Sequence, residues 1–242
     1  ENEFRMDIDE LKSLITNKTK MIIINSPQNP TGGMLSKDDM AEIAKILADR
    51  DIVVLSDEIY ENIVYEDRAY SISSFPGMKE KTIILNGFSK SYSMTGWRAG
   101  YGVMPKKIAD DINKLVVNST SCLAGFTQMA CIEAITGPQD ELKRRVEQFR
   151  LRRDKIVEGL NSIKGLKCVK PRGAFYVFPN IKYFGKSSAE MADYLLNEAG
   201  VATLPGGSFG SYGEGYIRIS YANSMENIDK AIAQIEYALS KL

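Results

Sequence analysis

The sequence predicts an α/β fold: part of a mixed, mainly parallel sheet with helices on both faces, followed by a smaller α+β domain, within 242 residues. Three observations carry this expectation. Near-continuous apolar runs at 21–24, 52–55 and 82–85 read as strands covered on both faces. A segment of helical periodicity lies between the first two runs, which is the βαβ pattern of a parallel sheet. The composition, 44% hydrophobic and 26% charged, is that of an ordinary folded chain with ample core.

The elements follow in order. Ser36 and Asp39 form a capping-box signature ahead of Met40, Ile43, Ala44 and Leu47, which recur at helical spacing. From 105 to about 162 the pattern is largely helical. Within it, 138–160 is heavily charged, with Leu142, Val146, Phe149, Ile156 and Leu160 on an apolar stripe, and reads as one long connecting helix. Beyond it, 166–169, 174–178, 201–204 and 216–220 read as strands. Helices are expected over 187–198 and 224–239, the latter capped by Ser224. A domain change inside the long helix gives residues 1–140 to the first domain and 141–242 to the second.

Charge and composition exclude several functions. With 31 basic and 31 acidic residues and no long block of like charge, nothing marks a nucleic-acid or anionic-membrane partner. The absence of histidine removes any imidazole base and any zinc site needing histidine, and no metal is expected. Cys122, Cys131 and Cys168 lack C-x-x-C spacing and fit reduced, core-packed thiols in a cytoplasmic protein. No apolar stretch reaches the ~18 residues needed to span a bilayer, and no apolar leader follows positive charge at the start, so a soluble, non-exported protein is expected. The chain opens on Glu1 rather than methionine. Numbering that begins inside a longer parent is therefore expected.

In a parallel sheet, ligands collect at the carboxyl ends of strands, and four clusters fall at element ends. Asn25 to Gly33 reads either as a turn punctuated by Pro and Gly or as a stiffened loop aiming the Asn29 amide at a ligand. Ser56-Asp57-Glu58-Ile59-Tyr60 offers either an N-cap acid or a carboxylate at a pocket floor with a phenol beside it. In the run 86–101, Lys90 reads either as a solvated surface lysine or as an amine among hydroxyls, with Arg98 eight positions on. The second reading suits an electrophilic carbonyl that carries a phosphate. Strand alternation sets Arg218 opposite Ile217 and Ile219, either as a surface residue on an edge strand or as a fork for a carboxylate.

Taken together, Asn25 to Gly32, Ser56 to Tyr60, Ser89-Lys90 with Thr95 to Tyr101, Gly173-Ala174-Phe175-Tyr176 and Arg218 to Ala222 resemble the class I/II aminotransferases in order and approximate spacing. These are fold-type I enzymes that use pyridoxal 5'-phosphate, and the aspartate and aromatic branch is the most similar. The resemblance implies that Lys90 forms the internal aldimine and then moves the substrate α-proton, while Asp57 pairs with the pyridine nitrogen. It implies that Asn29 and Tyr60 bond the ring oxygen, that Arg98 holds the phosphate with Ser89 or a neighbouring hydroxyl, and that Arg218 binds the substrate α-carboxylate beside Asn29. The implied substrates are an L-amino acid and a 2-oxo acid, and the implied assembly is a homodimer with shared active sites.

Two departures stand out. Gly87 occupies a position where many members carry a phosphate-binding serine. The chain resembles only the last three-fifths of the family, without the segment that bears the ring-stacking aromatic, the rest of the phosphate cradle and part of the small domain. A fragment of a longer aminotransferase is therefore expected, with little activity alone. Two other readings use the same residues: a carbon-sulfur lyase on this scaffold, and a non-catalytic aminotransferase-like sensing module. The intact Lys90, Asp57, Tyr60, Arg98 and Arg218 set speaks against the second.

Overall fold

A computed structural model describes residues 4–242 and divides them into two compact units. One comprises residues up to Pro27 together with Met34–Lys143; the other comprises Gln28–Gly33 and Arg144–Leu242.

The first unit holds α1 (Ile8–Leu14), β1 (Met21–Asn25), α2 (Lys37–Leu47), β2 (Val53–Asp57), β3 (Thr82–Gly87), β4 (Gly100–Val103), α3 (Lys106–Ser119) and α4 (Gly125–Thr136). Its sheet runs β1-β2-β3-β4, parallel across the first three strands and antiparallel at β4. The expected class is therefore present, with one strand added. The sequence reading missed β4 because Gly-Tyr-Gly-Val is only four residues long with two glycines, and all four residues are exposed.

The capping box forms as expected. Ser36 Oγ accepts from Asp39 N at 3.1 Å, and the Asp39 carboxylate accepts from Ser36 N at 2.8 Å and from the Arg5 guanidinium at 2.8 Å. Helix α2 buries Met40, Ile43, Ala44 and Leu47 against Ile24 and Val54. At its C-terminus, Lys81 Nζ donates to the carbonyls of Leu47, Ala48 and Arg50 at 2.8–3.0 Å, satisfying acceptors that a helix end leaves unpaired. Strand β1 is covered on one face, whereas Thr82 and Ile83, consecutive on β3, are both buried. Met21, Ile23 and Leu85 are exposed, as are Leu115, Val117, Phe126, Met129 and Ile132 on α3 and α4. The apolar runs led to an expectation of cover on both faces; α1 and α2 supply it on the side of Ile24.

The second unit holds most of α5 (Asp140–Ser162), then β5 (Tyr176–Val177), α6 (Ser188–Ala199), β6 (Leu204–Pro205), β7 (Ile217–Ser220) and α7 (Met225–Leu239). Its antiparallel sheet runs β5-β7-β6. Ser224 caps α7 through Asn227 N, and Ser187 caps α6 in a second capping box. The strands are shorter than their apolar runs, and 166–169 forms only a single bridge between Lys167 and Asn180. Leu166, Cys168 and Phe178 are nevertheless buried, so this apolar pattern reports core packing rather than a ladder. Cys131 and Cys168 are buried as expected, and burial pushes the Cys168 thiol up to about 12; Cys122 is exposed. Among the described residues no helix is long and apolar enough to cross a membrane, and no His/Cys/Asp/Glu group could hold a metal ion.

Burial works against the Asp39 carboxylate, yet its bonds from Ser36 and Arg5 hold it below its ordinary range. A carboxyl depressed in the folded state stabilises the fold at neutral pH and loses that contribution as pH falls through its folded value. Asp39→Ala is therefore expected to cost about 1–2 kcal/mol in urea unfolding at about pH 7, with the gap to wild type closing near pH 2.

Candidate functional site

In the first unit, parallel pairing sets Asn25, Asp57 and Leu85 side by side at the strands' carboxyl ends. Asp57 is half-buried, and its Oδ1 accepts from Ile59 N at 3.3 Å in the turn that ends β2. A turn follows β2 rather than a helix, so Asp57 is not an N-cap. Glu58, buried beside it, accepts from Ser56 Oγ at 2.8 Å and Ser71 Oγ at 2.6 Å, while its N–H donates to Leu85 O. These bonds fix the turn from which Tyr60 enters the core, 3% exposed.

Lys90 lies in the turn after β3. Backbone bonds from Tyr92 N and Met94 N to Phe88 O, and from Ser93 N to Lys90 O, close that turn. The Lys90 ammonium lies 6.0 Å from the centre of the Tyr60 ring. Lys90 and Ser89 are both half-buried. At Gly87 a Cβ would meet the Ala99 carbonyl and Gly100 Cα at 3.1 Å, so a serine here would be crowded and glycine fits the packing. Arg98 is exposed and held at φ 52°, a left-handed conformation costly for a residue with a Cβ, and it donates to Thr95 O at 2.9 Å within its own turn. The structure thus brings Tyr60 and Lys90 together, sets Asp57 at the end of the adjacent strand, and turns Arg98 onto its own backbone.

Three titratable groups beside this turn escaped the sequence reading. Asn86 bonds the first of them: its Nδ2 donates to Glu61 Oε1 at 2.6 Å and its Oδ1 accepts from Gly87 N at 2.7 Å. Burial pushes the Glu61 carboxyl up, the Glu58 charge adds to this, and the Asn86 bond opposes it. Burial and then the Glu61 charge likewise raise the Tyr92 and Tyr101 phenols. Tyr101 arrives through the antiparallel pairing of Asn86 with Tyr101, a register that spacing in the chain does not disclose.

In the second unit, Asn29 and Arg218 meet: an Arg218 Nη1 proton is donated to Asn29 Oδ1 at 2.8 Å. The loop carrying Asn29 contains cis peptides before Pro27 and Pro30 and is closed by Gln28 N to Gly33 O and Gly32 N to Gln28 O, each at 2.9 Å. It is tied down where the Gly32 carbonyl accepts from Arg172 N and Gly173 N at 2.9 and 3.1 Å. The alternation read from the sequence is present, with Ile217 and Ile219 buried and Arg218 half-buried. The edge-strand alternative is overturned, because β7 is the central strand of its sheet. The Arg218 guanidinium carbon lies 4.5 Å from the Tyr176 ring centre and 5.0 Å from that of Phe209.

Because the folded state holds the Glu61 proton more tightly than the unfolded chain, charging this group destabilises the fold as pH rises through its raised value. Glu61→Gln keeps an acceptor for Asn86 and is expected to raise the thermal midpoint at about pH 7, with the gain disappearing near pH 4.

Comparison with known proteins gives one consistent result. A family model described as aminotransferase class I and II matches residues 1–235. The chain is 46% identical over 244 residues to an aspartate aminotransferase of Pyrococcus abyssi, covering 99% of this chain and 62% of that protein. It is 42% identical over 247 residues to aromatic-amino-acid aminotransferase 2 of Thermococcus litoralis, covering 100% and 62%. An aromatic aminotransferase structure from Pyrococcus horikoshii superposes with a TM-score of 0.96 at 42% identity, covering 99% of this chain and 65% of that one. The chain therefore spans about three-fifths of the length of these relatives. Matched in sequence and in backbone along nearly its whole length, it belongs to the class I and II aminotransferase family.

Proposed function

We propose that this chain carries the cofactor and substrate groups of a pyridoxal 5'-phosphate-dependent aminotransferase that moves an amino group between an L-amino acid and a 2-oxo acid. The observation that carries the reading is the half-buried Lys90 amine beside the Tyr60 ring, in a turn at the carboxyl end of the sheet. The donor set fits the cofactor: an amine for an aldehyde, a carboxylate for a ring nitrogen, a phenol and an amide for a ring oxygen, and a guanidinium with a hydroxyl for a phosphate. When bound, that group supplies an electron-withdrawing ring that makes the substrate α-proton labile.

The chain's own residues do the rest. Asp57 would hold a proton on the ring nitrogen. Tyr60 would donate to the ring oxygen, as would the Nδ2 end of Asn29, whose Oδ1 end is already on Arg218. Arg98 and Ser89 would bind the phosphate. Arg218 would grip the α-carboxylate, and Lys90 Nζ would be the base that moves the α-proton. On this reading residues 1–140 form part of a large cofactor-binding domain, and 141–242 a small domain.

The relatives' greater length and the exposed apolar residues of α3 and α4 support a working enzyme in which further polypeptide covers this surface. We read that enzyme as a cytoplasmic homodimer with shared active sites, acting on small molecules rather than on nucleic acid or membrane; the free cysteines and balanced charge agree with this. The complete protein loaded with pyridoxal 5'-phosphate is expected to show a visible absorption band that Lys90→Ala abolishes, and to convert an amino acid and a 2-oxo acid into their exchanged partners. A wild-type-like band in Lys90→Ala overturns the assignment of Lys90, and release of pyruvate with a thiol would point to the lyase chemistry instead.

A further inference from the structure

Arg153 lies on α5 and is fully buried, and no role given above uses it. Such burial is costly unless the charge and its N–H groups are paired. Asp154 supplies the opposite charge: Arg153 Nε donates to its carboxylate at 3.0 Å and Nη2 lies 2.8 Å from it. Lys170 Nζ lies 2.9 Å and Arg150 Nη1 3.2 Å from the same carboxylate. Burial works against the Asp154 charge, yet the bonds from Lys170 and Arg153 hold its carboxyl below the ordinary range. The other terminal nitrogen, Arg153 Nη1, donates to the Pro171 carbonyl at 3.1 Å.

Pro171 is buried in a strap, residues 168–172, that lies in no helix or strand. A buried carbonyl outside a ladder needs a donor from elsewhere, and Arg153 provides it. The same strap meets the loop that carries Asn29. Arg172 N and Gly173 N donate to Gly32 O, and a Cβ on Gly32 would come within 2.3 Å of Pro171 Cβ. Four residues before Arg153, on the same face of α5, Phe149 stacks on Phe175 with ring centres 5.4 Å apart. Between strap and Phe175, Ala174 is held at φ 57°, its carbonyl accepting from Tyr221 Oη at 3.1 Å. Backbone strain of this kind persists where the surroundings over-determine the conformation.

We infer that Arg153 is a positioning residue: its bond to Pro171 sets the strap that fastens the Asn29 loop, and thereby sets the Asn29 amide against Arg218. Every residue in this relay belongs to the second unit. An aliphatic side chain of similar length would fill the same volume with less desolvation, but it could not hold the Pro171 carbonyl. The strap, rather than packing, therefore accounts for the buried charge. The consequence for catalysis rests on the roles proposed for Asn29 and Arg218.

Arg153→Met keeps the length of the side chain and removes the donor. In the complete protein, hydrogen exchange read by mass spectrometry is expected to quicken about tenfold or more in peptides spanning 168–175 and 28–33, against less than about twofold in α7. The kinetic arm uses 2-oxoglutarate as acceptor and L-aspartate or L-phenylalanine as donor. KM for the donor is expected to rise about tenfold while kcat falls less than about threefold, as for a loss of uniform binding. In an Asn29→Ala background, Arg153→Met is expected to raise KM by less than about twofold further, because residues that act through one bond are not additive. Unchanged exchange in the strap, a uniform rise across the second unit, an unchanged KM, or an additive effect with Asn29→Ala each overturn the inference. If Arg153→Met does not fold, Lys170→Ala loosens the strap from a half-exposed position and is expected to show the same pattern at about threefold; no change in that variant overturns the inference. A wild type that transaminates neither donor overturns the reading of Asn29 and Arg218, and the exchange arm still decides whether Arg153 holds the strap.

Discussion

The carbonyl of Gly32 is the constraint on which the pairing of Asn29 with Arg218 depends. It accepts two backbone N–H groups, from Arg172 and Gly173, and so fastens the 28–33 loop to the second unit. The contact requires glycine: Gly32 sits at φ 69°, and a Cβ there would strike Pro171 and the Gly173 carbonyl. Fastened in this way, the loop presents Asn29 Oδ1 to Arg218, whose guanidinium carbon lies 4.5 Å from the Tyr176 ring centre and 5.0 Å from that of Phe209. An arginine ordered before an anion arrives loses less freedom on binding it, which suits the role proposed for Arg218.

The first unit solves the matching problem for the amine. Here the anchor is the parallel register that aligns the ends of β1, β2 and β3, so that consecutive turns emerge side by side although Asp57 and Lys90 are far apart in the chain. The buried Glu58 carboxylate, bonded to two serine hydroxyls, holds one turn; the Glu61–Asn86–Gly87 chain of hydrogen bonds holds the other. Acidic residues are costly to bury and are retained where they organise backbone that must not move. The pair Tyr60 and Lys90 inherits its placement from both turns.

The surface of the first unit has a different character from its interior. Apolar residues on α3, α4 and one side of β1 remain exposed, and an apolar area of that extent normally signals burial against another polypeptide. This agrees with relatives that are longer than the chain, and it accounts for strands whose apolar runs outnumber the neighbours that cover them.

Much of this was legible in the sequence, because the patterns involved are local. Apolar runs announced β1 to β3, the Ser36 and Asp39 pair announced α2, charged periodicity announced α5, and the side of β7 on which Arg218 stands followed from strand alternation. Motif order singled out Asp57, Tyr60, Lys90 and Arg218 as candidates. What remained hidden is non-local: the β4 pairing that brings Tyr101 to Asn86, the Glu61 bond to Asn86, and the central rather than edge position of β7. The same is true of the aromatic rings near Arg218, since Tyr176, Phe209 and Arg218 lie on three different segments. By itself the sequence determined which chemical groups are present and on which side of each element they stand, because periodicity is a property of neighbouring residues. Only the tertiary structure decided which groups lie side by side, because strand order and loop docking are set by contacts between residues remote in the chain.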